Sequence, residues 1–160
     1  MGDVFDRAGR LYGWTLPRAR WAPIPLRLIV GYGFMAHGWA KLARGPEHFA
    51  AILQALHVPA PAAMSWAVVA IELAGGLAVL LGFAIPLAAA PMIAVLLVAI
   101  LTVHLPNGFS SIKLQAVDAA GAHFWQPGYE TDLLYLAGIL ALVLGGAGPF
   151  RLRAPRRLRR

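Results

Sequence analysis

Nearly all the arginines of this chain lie before Leu28 or after Phe150, and the 120 or so residues between them are dominated by long apolar runs. That segregation constrains the fold more than any motif does. Only 13% of the 160 residues are charged and 59% are hydrophobic, against a charged share near ~25% and an apolar share near ~50% in soluble domains. Apolar runs long enough to cross a bilayer, flanked by basic ends, predict an all-α, polytopic membrane protein. Backbone groups facing lipid must be satisfied within their own segment, which requires helices. The chain has no cysteine, which excludes disulfides, iron–sulfur clusters, thiolate zinc sites and thiol relays. The net charge of +7, placed beside membrane spans, points to anionic lipid rather than to nucleic acid.

Four spans fit the pattern, at about 23–43, 62–83, 86–105 and 129–146, each close to the ~20 residues a crossing helix needs. Proline opens the first, a tight Gly82-Phe83-Ala84-Ile85-Pro86 connection joins the second to the third, and Pro106-Asn107-Gly108 ends the third. This divides the chain into a basic N-terminal segment (1–22), a four-helix membrane domain (23–150) and an arginine-rich tail (151–160). Lysine and arginine favour the cytoplasmic side. Arg7, Arg10, Arg18, Arg20 and Arg27 lie before or at the start of the first span and six arginines follow the fourth, whereas the opposite side, from the outer end of the first span through the two connections there, holds only Lys41, Arg44 and Lys113. Both termini are therefore expected in the cytoplasm, with the anionic inner leaflet as their partner. Residues 1–20 contain acids and no continuous apolar stretch, so they do not read as a cleavable signal. Val4, Ala8, Leu11 and Tyr12 fit either a short interfacial helix or a disordered basic arm.

The two longer connections face the outside in this topology. Residues 45–61 carry Phe49, Ile52, Leu53 and Leu56 at i, i+3, i+4, i+7 spacing, the stripe of a short extracytoplasmic amphipathic helix on the membrane surface or capping the bundle. Residues 107–128 are long for a connection in a compact bundle and hold Phe109, His123, Phe124, Trp125 and Gln126, which fits a lid folded back over the helices.

The ionisable residues within the spans carry the functional signal, because a charge near the bilayer centre costs at least ~2.5–3.5 kcal/mol. Glu72 lies about ten residues into the second span, near the midplane. Gly75 and Gly76, one turn later, let another helix approach, so Glu72 is expected to face the bundle interior. Phe34, His37 and Lys41 fall on one face of the first span, with Lys41 at the outer edge and able to snorkel to water. His104 ends the third span and Glu130, after Tyr129, opens the fourth. His37, Glu72, His104 and Glu130 thus bring one titratable group from each span to the outer half of the bundle. Such a set suits proton relay, recognition of a quinone headgroup, or a metal ion. No local metal-ligand spacing such as HExxH is present, so the expectation is no metal site. No flavin, haem or nucleotide motif appears, and the glycine pairs read as helix-packing residues. The same polar set has a bland reading too, as hydrogen bonding between helices.

The order Arg27-Leu28-x-x-Gly31-x-x-Phe34-x-x-His37-Gly38-x-x-Lys41-Leu42 resembles the opening of the DoxX family of small four-helix membrane proteins. The resemblance continues through Glu72-Leu73-Ala74-Gly75-Gly76, Leu80-Leu81-Gly82, His104 before Gly108-Phe109, and Gly128-Tyr129-Glu130. It implies a bundle in the bacterial inner membrane. It also implies kinship with the DoxD subunit of thiosulfate:quinone oxidoreductase and with membrane oxidoreductase complexes that counter oxidative stress. On that footing the chain is expected to be the membrane subunit of a quinone-linked oxidoreductase system. His37, Glu72, His104 and Glu130 would handle protons, and Phe34, Lys41 and Tyr129 would contact the headgroup. Quinone or quinol is the expected cofactor, and an oxidoreductase protein and a second copy of the chain are the expected partners. The alternatives are a non-catalytic anchor for another protein and a small-molecule carrier.

Overall fold

The computed structural model describes Gly13 and residues 16–152. The N-terminal interfacial helix expected from Val4 to Tyr12 and the tail beyond Leu152 lie outside the described residues. After a 3-10 turn at Leu16–Trp21, helix α1 spans Pro23–Arg44 and begins with proline, where a missing N–H costs nothing. Helix α2, Pro46–Ala55, turns off at Gly45, whose φ of 91° is one that side chains rarely adopt. Helix α3 runs continuously over Pro61–Leu81 and helix α4 over Ile85–Asn107. The link between them is as tight as its sequence implies: Gly82 closes α3 in the left-handed conformation, Ala84 adopts it as well, and Pro86 sits in the first turn of α4. Helix α5 spans Glu130–Gly145.

Packing follows the small residues. Helix α1 lies against α3 so closely that a Cβ on Gly31 would sit 2.8 Å from the Gly76 carbonyl oxygen, and one on Gly76 would sit 2.7 Å from that of Gly31. This close approach of two backbones is the one that paired glycines in apolar helices permit. Helix α5 packs on α1 and α4, and α4 on α3. Val30 and Phe34 of α1, Val79 of α3, Met92 and Leu96 of α4, and Ile139 and Leu142 of α5 form the shared core.

Outside that core the surface is apolar. Leu87 is 79% exposed and Leu144 86%, and Ile29 and Leu101 are also exposed. Helices α3 and α4 are long and apolar enough to cross a membrane, yet only 33% and 28% of their apolar windows are buried within the chain. A helix apolar on all sides needs either a larger protein or lipid around it.

Two features depart from expectation. Each of the two long apolar helices contains a π-helical turn, Ile71–Gly75 in α3 and Ile100–His104 in α4. The segment 107–128 is neither lid nor plain loop. It forms an antiparallel hairpin, β1 at Leu114–Asp118 and β2 at Gly121–Phe124, so the chain is mostly helical rather than all-α. Both strands are exposed along their length and pair with one another. Helix α2 appears where the stripe places it, with Leu53 buried and Ile52 exposed. It is fastened to α3 by the wholly buried Ser65, whose hydroxyl donates to the Pro46 carbonyl at 2.5 Å.

Candidate functional site

Glu72 occupies the π-helical turn of α3 and is 5% exposed. The inserted residue of such a turn shifts the hydrogen-bond register and re-aims the side chains beside it, and such turns recur at functional sites. Its carboxylate meets the Lys41 ammonium, which donates to both Oε1 and Oε2 at 2.7 Å. Lys41 therefore turns inward to Glu72 rather than snorkelling outward from the edge of α1. Gly38, one turn earlier on α1, makes the approach possible: a Cβ there would lie 3.0 Å from that of Glu72. Lys41 Nζ also sits 5.1 Å from the centre of the Phe49 ring of α2, a cation–π contact that roofs the pair. The lysine side chain stays 22% exposed and the glutamate 6%, so the pair is reached from the lysine side.

The rest of the expected cluster is divided. Phe34, His37 and Lys41 do not act as one face: Phe34 is buried edge-on against Tyr135 at 5.7 Å, Lys41 goes to Glu72, and His37 is exposed. His37 lies within electrostatic reach of Asp132 on α5. His104, at the end of the π-helical turn of α4, is 4.0 Å from the Asp132 carboxylate and has the Pro127 carbonyl 3.2 Å from Nδ1. With Nδ1 carrying the proton toward that carbonyl, Nε2 is left as the acceptor. Glu130 stands apart from these groups. Its carboxylate accepts the backbone N–H of Ser111 at 3.0 Å and so fastens the start of the hairpin loop. The Tyr129 ring packs edge-on against Phe109, 5.7 Å between centres.

Two polar pairs thus stand where one four-residue set was expected: Lys41–Glu72 between α1 and α3, and His104–Asp132 between α4 and α5, with the exposed His37 within electrostatic reach of Asp132. Asp132 was missed by the sequence reading. Its signal was present but ambiguous, because carboxylates in the first turn of a helix are ordinarily explained by the helix dipole. Among the described residues no three His, Cys, Asp or Glu side chains come close enough to share a metal ion. Arg27 is used structurally. It is 5% exposed and donates five hydrogen bonds, to the carbonyls of Val79, Leu80, Ala147, Pro149 and Phe150 at 2.7–3.2 Å. It pins the end of α3 and the segment after α5 to α1. On the hairpin, His123 bonds the Asp118 carboxylate at 3.0 Å and the Ala120 N–H donates to it at 2.8 Å, which together hold that carboxyl below the usual aspartate range.

The model of the DoxX family matches residues 22–105, more than half of the chain. The chain belongs to the DoxX family. The match runs from the residue before α1 to the end of the π-helical turn in α4, so it contains His37, Lys41, Glu72 and His104. Tyr129, Glu130 and Asp132 lie beyond it. No curated protein and no solved structure matches the chain. Membership of DoxX and the two lipid-length helices together make this a membrane protein.

Proposed function

We propose that the chain is a four-span bacterial inner-membrane subunit of a quinone-linked oxidoreductase system, with both termini in the cytoplasm and the Lys41–Glu72 pair as its working centre. The observation that carries this reading is the bidentate pair itself, held on a π-helical turn in the middle of an apolar helix. Desolvating two charges costs several kcal/mol each, and ionisable groups at that depth mark ion, proton or ligand sites by default. Lys41 uses its inner side on Glu72 and keeps an exposed edge, from which an N–H can donate to a carbonyl of a quinone ring. Glu72 is then the acceptor that takes up a proton from the reduced ring or returns one to it. Reduction of a quinone adds two electrons and two protons. The chain has no cysteine and no flavin, haem or nucleotide motif, so the electrons come from a partner oxidoreductase. His37, His104 and Asp132 line the route by which protons reach water. The apolar outer faces of α3 and α4 suit an isoprenoid tail.

The pair also supports a second reading. Because Glu72 is fully engaged by Lys41, the contact can serve only to lock α1 to α3 in a membrane anchor for another protein. Extraction of the purified, mildly solubilised protein separates the two. The first reading expects co-purified quinone, together with loss of quinone-dependent turnover in a folded Glu72→Gln variant. A stoichiometric partner with no quinone, and full turnover in Glu72→Gln, supports the anchor instead.

A further inference from the structure

At the far end of α5 from Glu130 and Asp132, the start of α1 and the segment after α5 enclose an open-sided cavity of about 520 Å³, within the ~300–1,000 Å³ of small-ligand sites. Arg20 and Arg151 line it with Pro23, Gly145, Gly148 and Phe150. Among the described residues, none of those lining it is a carboxylate. Its wall is held in place by Arg27, whose bonds to the Ala147, Pro149 and Phe150 carbonyls bring a third guanidinium close by. Arg20 is also pre-positioned. Its guanidinium carbon lies over the Trp21 ring, 5.5 Å from the ring centre, and Trp21 packs on Phe150 at 5.6 Å. A cation over a ring face is held without using its N–H groups as donors, which leaves them free to donate to a phosphate. The ligand is therefore an anion, and the surroundings make it amphiphilic. Leu144, next to Gly145 on the rim, is 86% exposed, and an aromatic pair at the mouth of a basic pocket is what membrane–water interfaces favour.

We propose that this cavity is a headgroup site for one anionic phospholipid, with the phosphodiester between Arg20 and Arg151 and the acyl chains running along α5 past Leu144. The site is separate from the Lys41–Glu72 pair and does not depend on the quinone reading. It is also more specific than attraction of basic ends to a charged surface, because it has a volume that can be filled. A Cβ at Gly145 would meet nothing within 4 Å, and Gly145 lines the cavity, so Gly145→Leu adds bulk at the lining without removing charge.

The test uses the full chain in nanodiscs of equimolar phosphatidylglycerol and phosphatidylcholine, with native mass spectrometry of the lipids retained on release. Wild type is expected to keep one phosphatidylglycerol in preference to phosphatidylcholine. Arg20→Gln/Arg151→Gln should reduce that preference roughly 30-fold, about fivefold for each arginine near an anionic surface. Gly145→Leu should reduce it comparably with every charge in place, and Arg156→Gln/Arg157→Gln, which removes the same charge from the tail, should leave it unchanged. Equal retention of the two lipids would overturn the proposal. So would a tail variant that loses as much as the Arg20/Arg151 variant, because the attraction would then be diffuse. If excess inorganic phosphate displaces the retained phosphatidylglycerol, the site belongs to a soluble anion and the lipid assignment is wrong.

Discussion

Lys41→Met should destabilise the bundle far more than Glu72→Gln does, although both break the same ion pair. The asymmetry comes from exposure. Removing the lysine strands a carboxylate whose side chain is only 6% exposed, and stripping a buried charge of its partner costs about 3–5 kcal/mol. Removing the glutamate's charge leaves a lysine that is 22% exposed and still sits over the Phe49 ring. The glutamine keeps an acceptor oxygen, so the loss should stay within the roughly 1.5–3 kcal/mol of a hydrogen bond to a charged group. Replacing both with methionine leaves no stranded charge and should return stability close to that of wild type, since apolar replacements of buried pairs are often neutral or stabilising. Reversible unfolding by sodium dodecyl sulfate in mixed micelles, followed by tryptophan fluorescence, compares Lys41→Met with Glu72→Gln, and wild type, Lys41→Met, Glu72→Met and the double methionine variant close the cycle. A coupling of ~2 kcal/mol or more is expected. Single-variant effects that add to within ~0.5 kcal/mol would show that the residues do not interact. Equal losses in Lys41→Met and Glu72→Gln would refute the exposure argument.

Arg27→Lys should cost roughly 3–5 kcal/mol in the same assay, because an ammonium cannot reproduce five bonds to carbonyls on two separate segments; unchanged stability would mean that the guanidinium is not the pin. Asp118 has its carboxyl held low in the folded hairpin, so its contribution is present above the ordinary aspartate value of 3.8 and is lost as pH falls through the lower folded value. Hydrogen exchange at the Ala120 amide should accordingly stay slow at pH 3.8 and speed up below it; loss of protection already above 3.8 would contradict the assignment. Cysteines at Ser111 and Arg157 should label from opposite sides of the membrane, Ser111 from outside; equal labelling of both in intact cells would overturn the orientation.

The helices were legible because their signals are strong and redundant. Apolar runs of crossing length, proline at the start of α1, α2, α3 and α4, and Gly-Pro punctuation between them all agree. Glu72 was legible for a related reason, since one carboxylate in an uncharged run is costly at that depth and stands out from its neighbours. Its partner was not. Lys41 near a helix end reads equally well as a snorkelling residue, and only the close packing of Gly38 on α3 decides the direction. The π-helical turns at Glu72 and His104 leave no mark in composition, because they change the hydrogen-bond register and not the residue types. The hairpin could have been found. Asp118-Ala119-Ala120-Gly121 is a turn signal, with Gly121 at a φ of 122°, but the flanking strands are short and poor in β-branched residues, so their strand signal is weak. Treating His37, Glu72, His104 and Glu130 as one set assumed that equal depth implies proximity. Helices in a bundle also differ in rotation about their axes, and the rotation of α1 turns Lys41 to Glu72 and leaves His37 exposed.

The most direct test of the proposed function is a density map of the protein purified with its native lipids, inspected around Lys41. The account predicts an elongated molecule along α3 and α4 whose ring lies within hydrogen-bond distance of the Lys41 ammonium, beside the Glu72 carboxylate. Lipid tails alone along those helices, with a ring bound elsewhere or no ring at all, would contradict it.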